Sequence, residues 1–392
     1  MWQRIKNKYH FIKGHLANKI YKSPGKKLIC IGVTGTDGKT TTATMIYTVL
    51  KNAGYKTALI TTVSAIIEDH VFDTGFHVST PDAFALQSYL KRALDAGVTH
   101  VVLEVTSHSL DQYRVLGIPF KVGVLTNISR EHLDYHKSME NYMLAKGKLL
   151  KAAQVAILNK DDGSYSFFKE HIGRKKVVTY ARSLEADVTP QDISLPQTIP
   201  GDFNVSNMLA ATAACFALGI DRAVIEAGLK RVSLPEGRFE VVYDSDFKVI
   251  IDFAHTPNSL EQLLQTVKKT TKGKIIHVFG CAGKRDRGKR GPMGEVSARY
   301  ADRIILTAED PRDEKIHDIN AMIKKGMKGH TDIQEIESRT EAIFYAITHA
   351  GKGDTVLLTG KGHEKSMNFG NGETPWNEHE EVHKILKENG KN

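Results

Sequence analysis

The stretch Leu28-Ile29-Cys30-Ile31-Gly32-Val33-Thr34-Gly35-Thr36-Asp37-Gly38-Lys39-Thr40-Thr41-Thr42 decides how the chain is read. Leu28 to Val33 is a β-branched, apolar run with the composition of a buried strand. It passes directly into a glycine-bearing loop, and an apolar helical stretch follows. Glycines let a backbone wrap a phosphate, and the N-terminus of the next helix adds aligned N–H donors. In such a loop Lys39 is placed for the β- and γ-phosphates of ATP and the Thr40 hydroxyl for Mg2+, with Gly35, Thr36, Asp37, Gly38 and Thr41 completing the cradle. An ordinary glycine turn explains the glycines but not the order strand, loop, Gly-Lys-Thr, helix. The loop is shorter than the standard GxxxxGK[ST], because Val33 stands at the first glycine position.

Outward from the loop, short β-branched runs alternate with helical stretches. Leu28 to Val33, Ala58 to Thr62, His100 to Val105, Val122 to Thr126 and Val155 to Leu158 read as parallel strands of an α/β layer fold. A Pro- and Gly-containing link around Leu234 to Arg238 breaks the pattern. A second series follows with Val249 to Phe253, Ile275 to Phe279, Ile304 to Leu306 and Val356 to Leu358. The chain has 392 residues, more than one core usually organises. The expected architecture is a basic N-terminal helical extension over 1–27, a P-loop-type parallel-sheet ATPase domain over 28–233, and a smaller Rossmann-like α/β domain over 234–392.

Composition narrows the class. The chain is 41% hydrophobic and 25% charged, as in ordinary globular proteins. No apolar run approaches the roughly 20 residues of a membrane-spanning helix, and the N-terminus lacks the apolar stretch of a secretory signal. The three cysteines, Cys30, Cys215 and Cys281, form no CxxC pair, which fits a reducing cytoplasm. Of the 54 Lys and Arg, eight fall in residues 1–27, where no Asp or Glu occurs, so the remainder is nearly neutral. That distribution is not a nucleic-acid groove. Trp2 to Tyr21 places Ile5, Tyr9, Ile12, Leu16 and Ile20 at spacings of three and four. This is an amphipathic helix, either docked on the first domain or lying on anionic lipid.

The third strand ends in Leu103-Glu104-Val105-Thr106-Ser107-His108-Ser109-Leu110, with Gln112 and Arg114 beyond it. A carboxylate leaving a strand end beside a phosphate loop suits magnesium. Together with the short Gly-Thr-x-Gly-Lys-Thr loop, this run resembles the Mur ligase family, which shares a superfamily with folylpolyglutamate synthetases, and within it the MurE type. The resemblance implies that Glu104 is a magnesium ligand and that Thr106, Gln112 and Arg114 face a muramyl-peptide substrate. Thr106 departs from the usual Ser but keeps the hydroxyl. Thr126-Asn127-Ile128-Ser129-Arg130-Glu131-His132-Leu133-Asp134-Tyr135-His136 and Tyr142-Met143-Leu144-Ala145-Lys146 match the same pattern. They imply His132 as a second metal ligand and Lys146 as a lysine carrying a carbamate, whose anionic oxygens suit Mg2+ where an ammonium repels it. Ser79-Thr80-Pro81 aligns with the family's substrate loop.

Further resemblances assign Asn204 and Asn207 to adenine, Arg238 to ATP through the Pro235-to-Glu240 link, and Asp252 and His255 to the nucleotide. Gly280 to Arg290 is a basic loop suited to a carboxylate or phosphate. With Glu309-Asp310-Pro311-Arg312 and Gly360-Lys361-Gly362-His363-Glu364 it resembles the amino-acid site. There, beside Gly360, Arg285, Arg312 and Glu364 favour a zwitterionic side chain such as meso-diaminopimelate, whereas Asp310 in place of Asn leans towards lysine. The resemblance runs from roughly Pro24 to the C-terminus. The family's further N-terminal domain of about 100 residues, which grips the UDP end of the substrate, is not represented, so an acceptor without UDP, or lipid-linked, is the alternative. A non-catalytic nucleotide-binding partner is the remote one. The mechanism implied is attack of a substrate carboxylate on the γ-phosphate, giving an acyl-phosphate that an amino group then opens as the C-terminal domain closes. The expected partners are a muramyl-peptide precursor and a free amino acid, with no nucleic acid and a monomeric chain, and with contact to a membrane surface through residues 1–27.

Overall fold

The computed structural model describes residues 2–68, 70–72 and 80–391, with side chains from residue 7 onward. Ser79 lies outside the described residues. The chain divides into two compact units, one of Met1–Ser129 with His136–Pro235 and one of Arg130–Tyr135 with Glu236–Asn392.

The first unit begins with helix α1 (Trp2–Ile20) and is built on an eight-stranded sheet. Its strands are β1 (Ile29–Thr34), β2 (Thr57–Ile60), β3 (Ala65–Ile67), β4 (His70–Phe72), β5 (His100–Glu104), β6 (Phe120–Leu125), β7 (Val155–Asn159) and β8 (Lys176–Tyr180). The spatial order is β4-β3-β2-β5-β1-β6-β7-β8, so β1 lies between β5 and β6. From β2 to β8 the pairing is parallel, while β3 and β4 add an antiparallel edge. The helices are α2 (Lys39–Asn52), α3 (Ala83–Asp95), α4 (Ser107–Asp111), α6 (Met139–Ala152), α7 (Tyr165–His171), α8 (Asp202–Ala217) and α9 (Arg222–Leu229), while all but the last residue of the short α5 (Leu133–His136) belongs to the second unit.

Alternation along β1 explains the layering. Ile31 and Val33 join Ile46, Leu50, Leu209 and Ala213 in a core between the sheet and α2 and α8. Cys30 joins Leu86, Leu90, Val101 and Leu103 in the core on the opposite face. Both faces are covered, which is why the parallel strands read as continuous apolar runs.

The second unit holds a six-stranded sheet of β9 (Glu240–Asp244), β10 (Lys248–Asp252), β11 (Ile275–Phe279), β12 (Arg303–Leu306), β13 (Ile333–Glu335) and β14 (Thr355–Thr359), ordered β13-β12-β11-β14-β10-β9. All neighbours are parallel except the edge pair β9 and β10. A separate ribbon pairs β15 (Ser366–Asn368) with β16 (Glu373–Pro375). The helices are α10 (Pro257–Thr270), α11 (Arg290–Tyr300), α12 (Ile316–Lys324), α13 (Arg339–Thr348) and α14 (Glu378–Glu388). Val249, Ile251, Val278, Ile305, Val356 and Leu358 pack on Ile343, Ala346, Ile385 and Leu386.

Both sheets are thus mixed at their edges, while the five runs of the first series that read as parallel strands pair in parallel. Helix α1 groups with the first unit, and it docks by an unexpected face. Ala17, Asn18 and Gly14 are buried, whereas the predicted stripe of Tyr9, Ile12, Leu16 and Ile20 is exposed.

Candidate functional site

Three neighbouring strands of the first sheet end side by side, and the chemistry-bearing residues follow their carboxyl ends, where ligands of open α/β sheets bind. Val33 of β1 is in register with Glu104 of β5, and Thr34 with Leu125 of β6. After β1 the chain turns through Gly35 and Gly38, both at positive φ, and Gly38 caps α2. A Cβ at Gly35 would lie 1.8 Å from the Thr126 hydroxyl and one at Gly38 2.3 Å from Asn207 Oδ1, so only glycine fits. Elsewhere the loop is pinned from β6. The Thr36 amide donates to the Asn127 carbonyl at 2.9 Å, the Asp37 amide to Asn127 Oδ1 at 3.0 Å, and Thr126 Oγ1 donates to the Asp37 carbonyl at 2.7 Å. Thr36 Oγ1 lies 3.0 Å from the Tyr142 hydroxyl. These contacts fix the shape of the loop.

The Thr40 hydroxyl donates to Glu104 Oε2 at 2.8 Å, and the Thr62 amide reaches the same oxygen at 3.2 Å. Both side chains are buried. Lys39 folds its ammonium onto the Thr36 carbonyl at 2.7 Å. Lys146, on α6 and 2% exposed, points its ammonium at the Gly35 carbonyl and over the Tyr142 ring at 4.6 Å. Next to this centre the Thr80 hydroxyl donates to the Glu104 carbonyl at 3.1 Å and lies 3.4 Å from the Thr106 hydroxyl. Arg114 is held flat, with Nε and one terminal nitrogen on Gln112 Oε1 at 3.0 and 2.7 Å and the other on the Thr80 carbonyl at 2.6 Å. A guanidinium fixed in its plane beside the loop is suited to a carboxylate. Thr106 also caps α4 through the Ser109 amide. His136 bonds Ser107 Oγ at 2.9 Å, and burial pushes its imidazole down to about 4, so it is neutral near pH 7.

Asn204 and Asn207 are buried and bonded within the unit. Asn204 Nδ2 donates to the Pro200 carbonyl at 2.7 Å, Asn207 Nδ2 to Asn204 Oδ1 at 3.2 Å, and the Thr42 hydroxyl to Asn207 Oδ1 at 3.3 Å. In this structure the pair backs the glycine loop and α2.

In the second unit the same strand-end logic recurs. Asp252 ends β10 and accepts the Phe239 and Ala254 amides, both at 2.7 Å. His255 Nδ1 pairs with the Phe253 carbonyl at 2.8 Å. Arg238 lies over the Phe253 ring at 4.6 Å and 3.2 Å from His363 Nδ1; burial, and then the Arg238 charge, push that histidine down to about 3. Glu309 and Asp310 follow β12, and Gly360 to Glu364 follow β14. Lys361, fully buried, donates to Asp310 Oδ1 at 2.9 Å and Glu364 Oε2 at 2.6 Å, and the Asn368 amide reaches Asp310 Oδ1 at 3.1 Å. Arg312, at φ 54°, donates to the Gly283 carbonyl at 2.6 Å. Burial and then the nearby Arg285 charge lower its pKa, so two guanidiniums share a field with Asp310, Glu373 and Glu364. His132 lies in the hexapeptide of this unit, its Nδ1 4.0 Å from Glu131 Oε1, and Lys289 reaches that oxygen at 3.3 Å.

With this geometry in place, the comparisons bear directly on the chain. The Mur ligase middle domain profile matches residues 33–215, and the profile for the Mur ligase, glutamate ligase domain matches residues 237–362. The chain belongs to the Mur ligase family. It is 38% identical to the UDP-N-acetylmuramoyl-L-alanyl-D-glutamate–2,6-diaminopimelate ligase of Geobacillus kaustophilus (strain HTA426), over 96% of this chain and 82% of that protein. It is 36% identical to the ligase of the same name from Alkaliphilus metalliredigens (strain QYMF), over 99% of this chain and 83% of that one. An alignment that leaves out only about one residue in a hundred reaches into α1, so the likeness does not begin at Pro24. Among solved structures, a ligase described by the same name aligns with TM-score 0.61 and 31% identity over 93% of this chain and 79% of its own. A Mycobacterium tuberculosis folylpolyglutamate synthase, complexed with ADP and AMPPCP, shares the fold with TM-score 0.73 at 18% identity, over 89% of this chain and 92% of its own.

In this Mur ligase, three of the four groups that the resemblance assigns to magnesium, Thr40, Glu104 and Lys146, belong to the first unit and His132 to the second. The Thr40–Glu104 pair offers hard oxygen donors beside a cradle that any Cβ would fill, which fits Mg2+. Among the described residues no three His, Cys, Asp or Glu converge as a metal cluster. Asn127, Tyr142 and Lys361 also make contacts in these strand-end clusters. Each stood inside a quoted motif, but the signal was position alone, since their partners lie 90, 106 and 51 residues away.

Proposed function

We propose that the chain is an ATP-dependent, ADP-forming ligase that joins meso-diaminopimelate to a peptide carboxylate of UDP-MurNAc-L-Ala-D-Glu. The observation that carries the reading is the Thr40–Glu104 pair at the mouth of the glycine loop, with the flat Arg114 guanidinium beside it. It stands in a chain 36–40% identical to diaminopimelate ligases.

In this mechanism Arg114, Thr80 and Thr106 orient the substrate carboxylate, and the loop amides with Lys39 hold the phosphates of ATP. Attack on the γ-phosphate forms the C–O–P bond of an acyl-phosphate and releases ADP. Lys39 swings from the Thr36 carbonyl to the charge that develops on the transferred phosphoryl group. Thr40, Glu104 and a carbamate on Lys146 would hold Mg2+, whose charge would neutralise the phosphate oxygens. The incoming amine then displaces phosphate, and no side chain needs to act as a nucleophile.

Asp310 bears on the amino acid. Its Oδ1 is taken by the Lys361 ammonium and the Asn368 amide, which weakens its claim on the terminal ammonium of a lysine substrate. Arg312 and Arg285 suit the second carboxylate that only diaminopimelate brings.

The test is phosphate release from ATP with UDP-MurNAc-L-Ala-D-Glu and either amino acid. Release at least about tenfold faster with diaminopimelate supports the reading. Faster release with lysine overturns the amino-acid assignment, and silence with both from ATP-binding protein overturns the acceptor. For Lys146, 13C-labelled bicarbonate should give a carbamate carbon resonance that Lys146→Arg abolishes; its absence from the native protein removes the carbamate.

A further inference from the structure

Helix α1 presents outward the stripe that would ordinarily be its docking face. It is fastened to the first unit by the opposite side. Asn18 Nδ2 donates to the Leu116 carbonyl at 2.6 Å, Ala17 is fully buried, and Phe11 meets Tyr113 edge to face at 5.2 Å. A Cβ at Gly14 would lie 2.7 Å from the Tyr113 carbonyl, so helix and loop approach backbone to backbone there. What remains exposed is Tyr9 at 64%, Ile12 at 57%, Leu16 at 49% and Ile20 at 62%. At 3.6 residues per turn these four span about 80° of the helix circumference. Lys8 and Lys19 flank the arc on one side and Lys13 on the other, while exposed Lys22, Lys26 and Lys27 continue past the helix.

We infer that residues 8–27 form a membrane-surface anchor that lays α1 on a bilayer of anionic phospholipid. An apolar stripe bordered by lysines is the pattern of helices that lie in the headgroup region, and juxtaposed lysines add attraction to a negative leaflet. Charge argues for this occupant over a second copy of the chain. Residues 1–27 carry eight Lys and Arg and no Asp or Glu, so two copies of the stripe would face each other with like charge. Among the described residues, Asp82 pairs with Lys13 at 3.5 Å and Asp111 accepts from Asn7 Nδ2 at 3.3 Å. Among the described residues no helix is long and apolar enough to cross a membrane, so the association is peripheral and reversible. The inference does not depend on the reaction the protein catalyses.

The experiment is co-flotation of the full chain with vesicles of phosphatidylcholine alone and of phosphatidylcholine mixed with phosphatidylglycerol, at low and high salt. Binding should be at least about tenfold stronger to the anionic vesicles and should weaken as salt screens the lysines. Ile12→Glu combined with Leu16→Glu should abolish it while leaving the melting temperature and phosphate release in solution unchanged, because both positions are exposed. Absence of binding, or equal binding to neutral vesicles, overturns the inference. So does a dimer in sedimentation that the double variant dissolves, since a second copy would then be the occupant.

Discussion

The Thr40 hydroxyl contributes one oxygen to the proposed metal centre and orients another, that of Glu104. Thr40→Ala removes both effects, and the expected loss in kcat is about 100- to 1000-fold, the scale of losing one preorganised group at developing charge. Thr40→Ser keeps the hydroxyl and should retain most of the activity, as steady-state phosphate release will show. Asp310→Asn makes a second test at this scale. The change leaves fully buried Lys361 with Glu364 as its remaining carboxylate among the contacts described above, so stability should fall by about 1–3 kcal/mol. The preference for diaminopimelate should persist. A switch in amino-acid preference without loss of stability would instead mean that Asp310 reads the substrate. Residues of this kind differ in how well a sequence displays them. Lys39 and Thr40 sit in an unbroken motif whose order carries its own chemistry. Lys361 lay in view within a motif, yet a buried lysine is recognisable only through the carboxylates that surround it, and Asp310 comes from another strand end.

At the scale of elements, α1 shows how packing overrides a general preference. Gly14 lies in a helix interior, where Ala ordinarily gains up to about 1 kcal/mol. Here the added methyl would sit 2.7 Å from the Tyr113 carbonyl and 3.3 Å from the Leu116 side chain. Overpacking against backbone costs about 1–3 kcal/mol, so Gly14→Ala should lower the melting temperature by a few degrees; a rise would mean that α1 is not held as described. Periodicity located this helix but not its docking face, because the stripe marks where apolar side chains gather, not what covers them. The central strands were legible for the opposite reason. With both faces largely buried, β1, β5, β6, β7, β11 and β14 are mostly apolar along their length. The strands that escaped notice are at or near sheet edges. β13 has an intermediate residue followed by two exposed ones, and β9 mixes exposed and half-buried positions. Such segments carry too little apolar pattern to stand out from loops.

For the molecule as a whole, acid and base stability have separate sources. His277 is fully buried between Ser297 Oγ at 2.8 Å and Thr359 Oγ1 at 2.9 Å, and burial pushes it down to about 3. Its folded pKa lies below the unfolded value of about 6.5. Its contribution is therefore complete above about pH 6.5 and is lost as pH falls towards 3. Glu309 has the opposite sign. Burial pushes its carboxyl up to about 8 against the pull of Lys289, Arg339 and Lys361, and its Oε2 has no hydrogen-bond partner in the structure. The folded protein therefore holds a proton there that the unfolded chain releases from about pH 4.5, and stability drains away as pH rises from there to 8. Glu309→Gln keeps the shape and removes the titration, while His277 remains in both proteins and cancels from the difference. The melting temperatures of variant and native protein should thus differ least near pH 4.5 and diverge in the variant's favour up to pH 8, then run parallel. A constant gap across that range would mean that Glu309 is ionised in the folded state, held by Lys289 and Arg339.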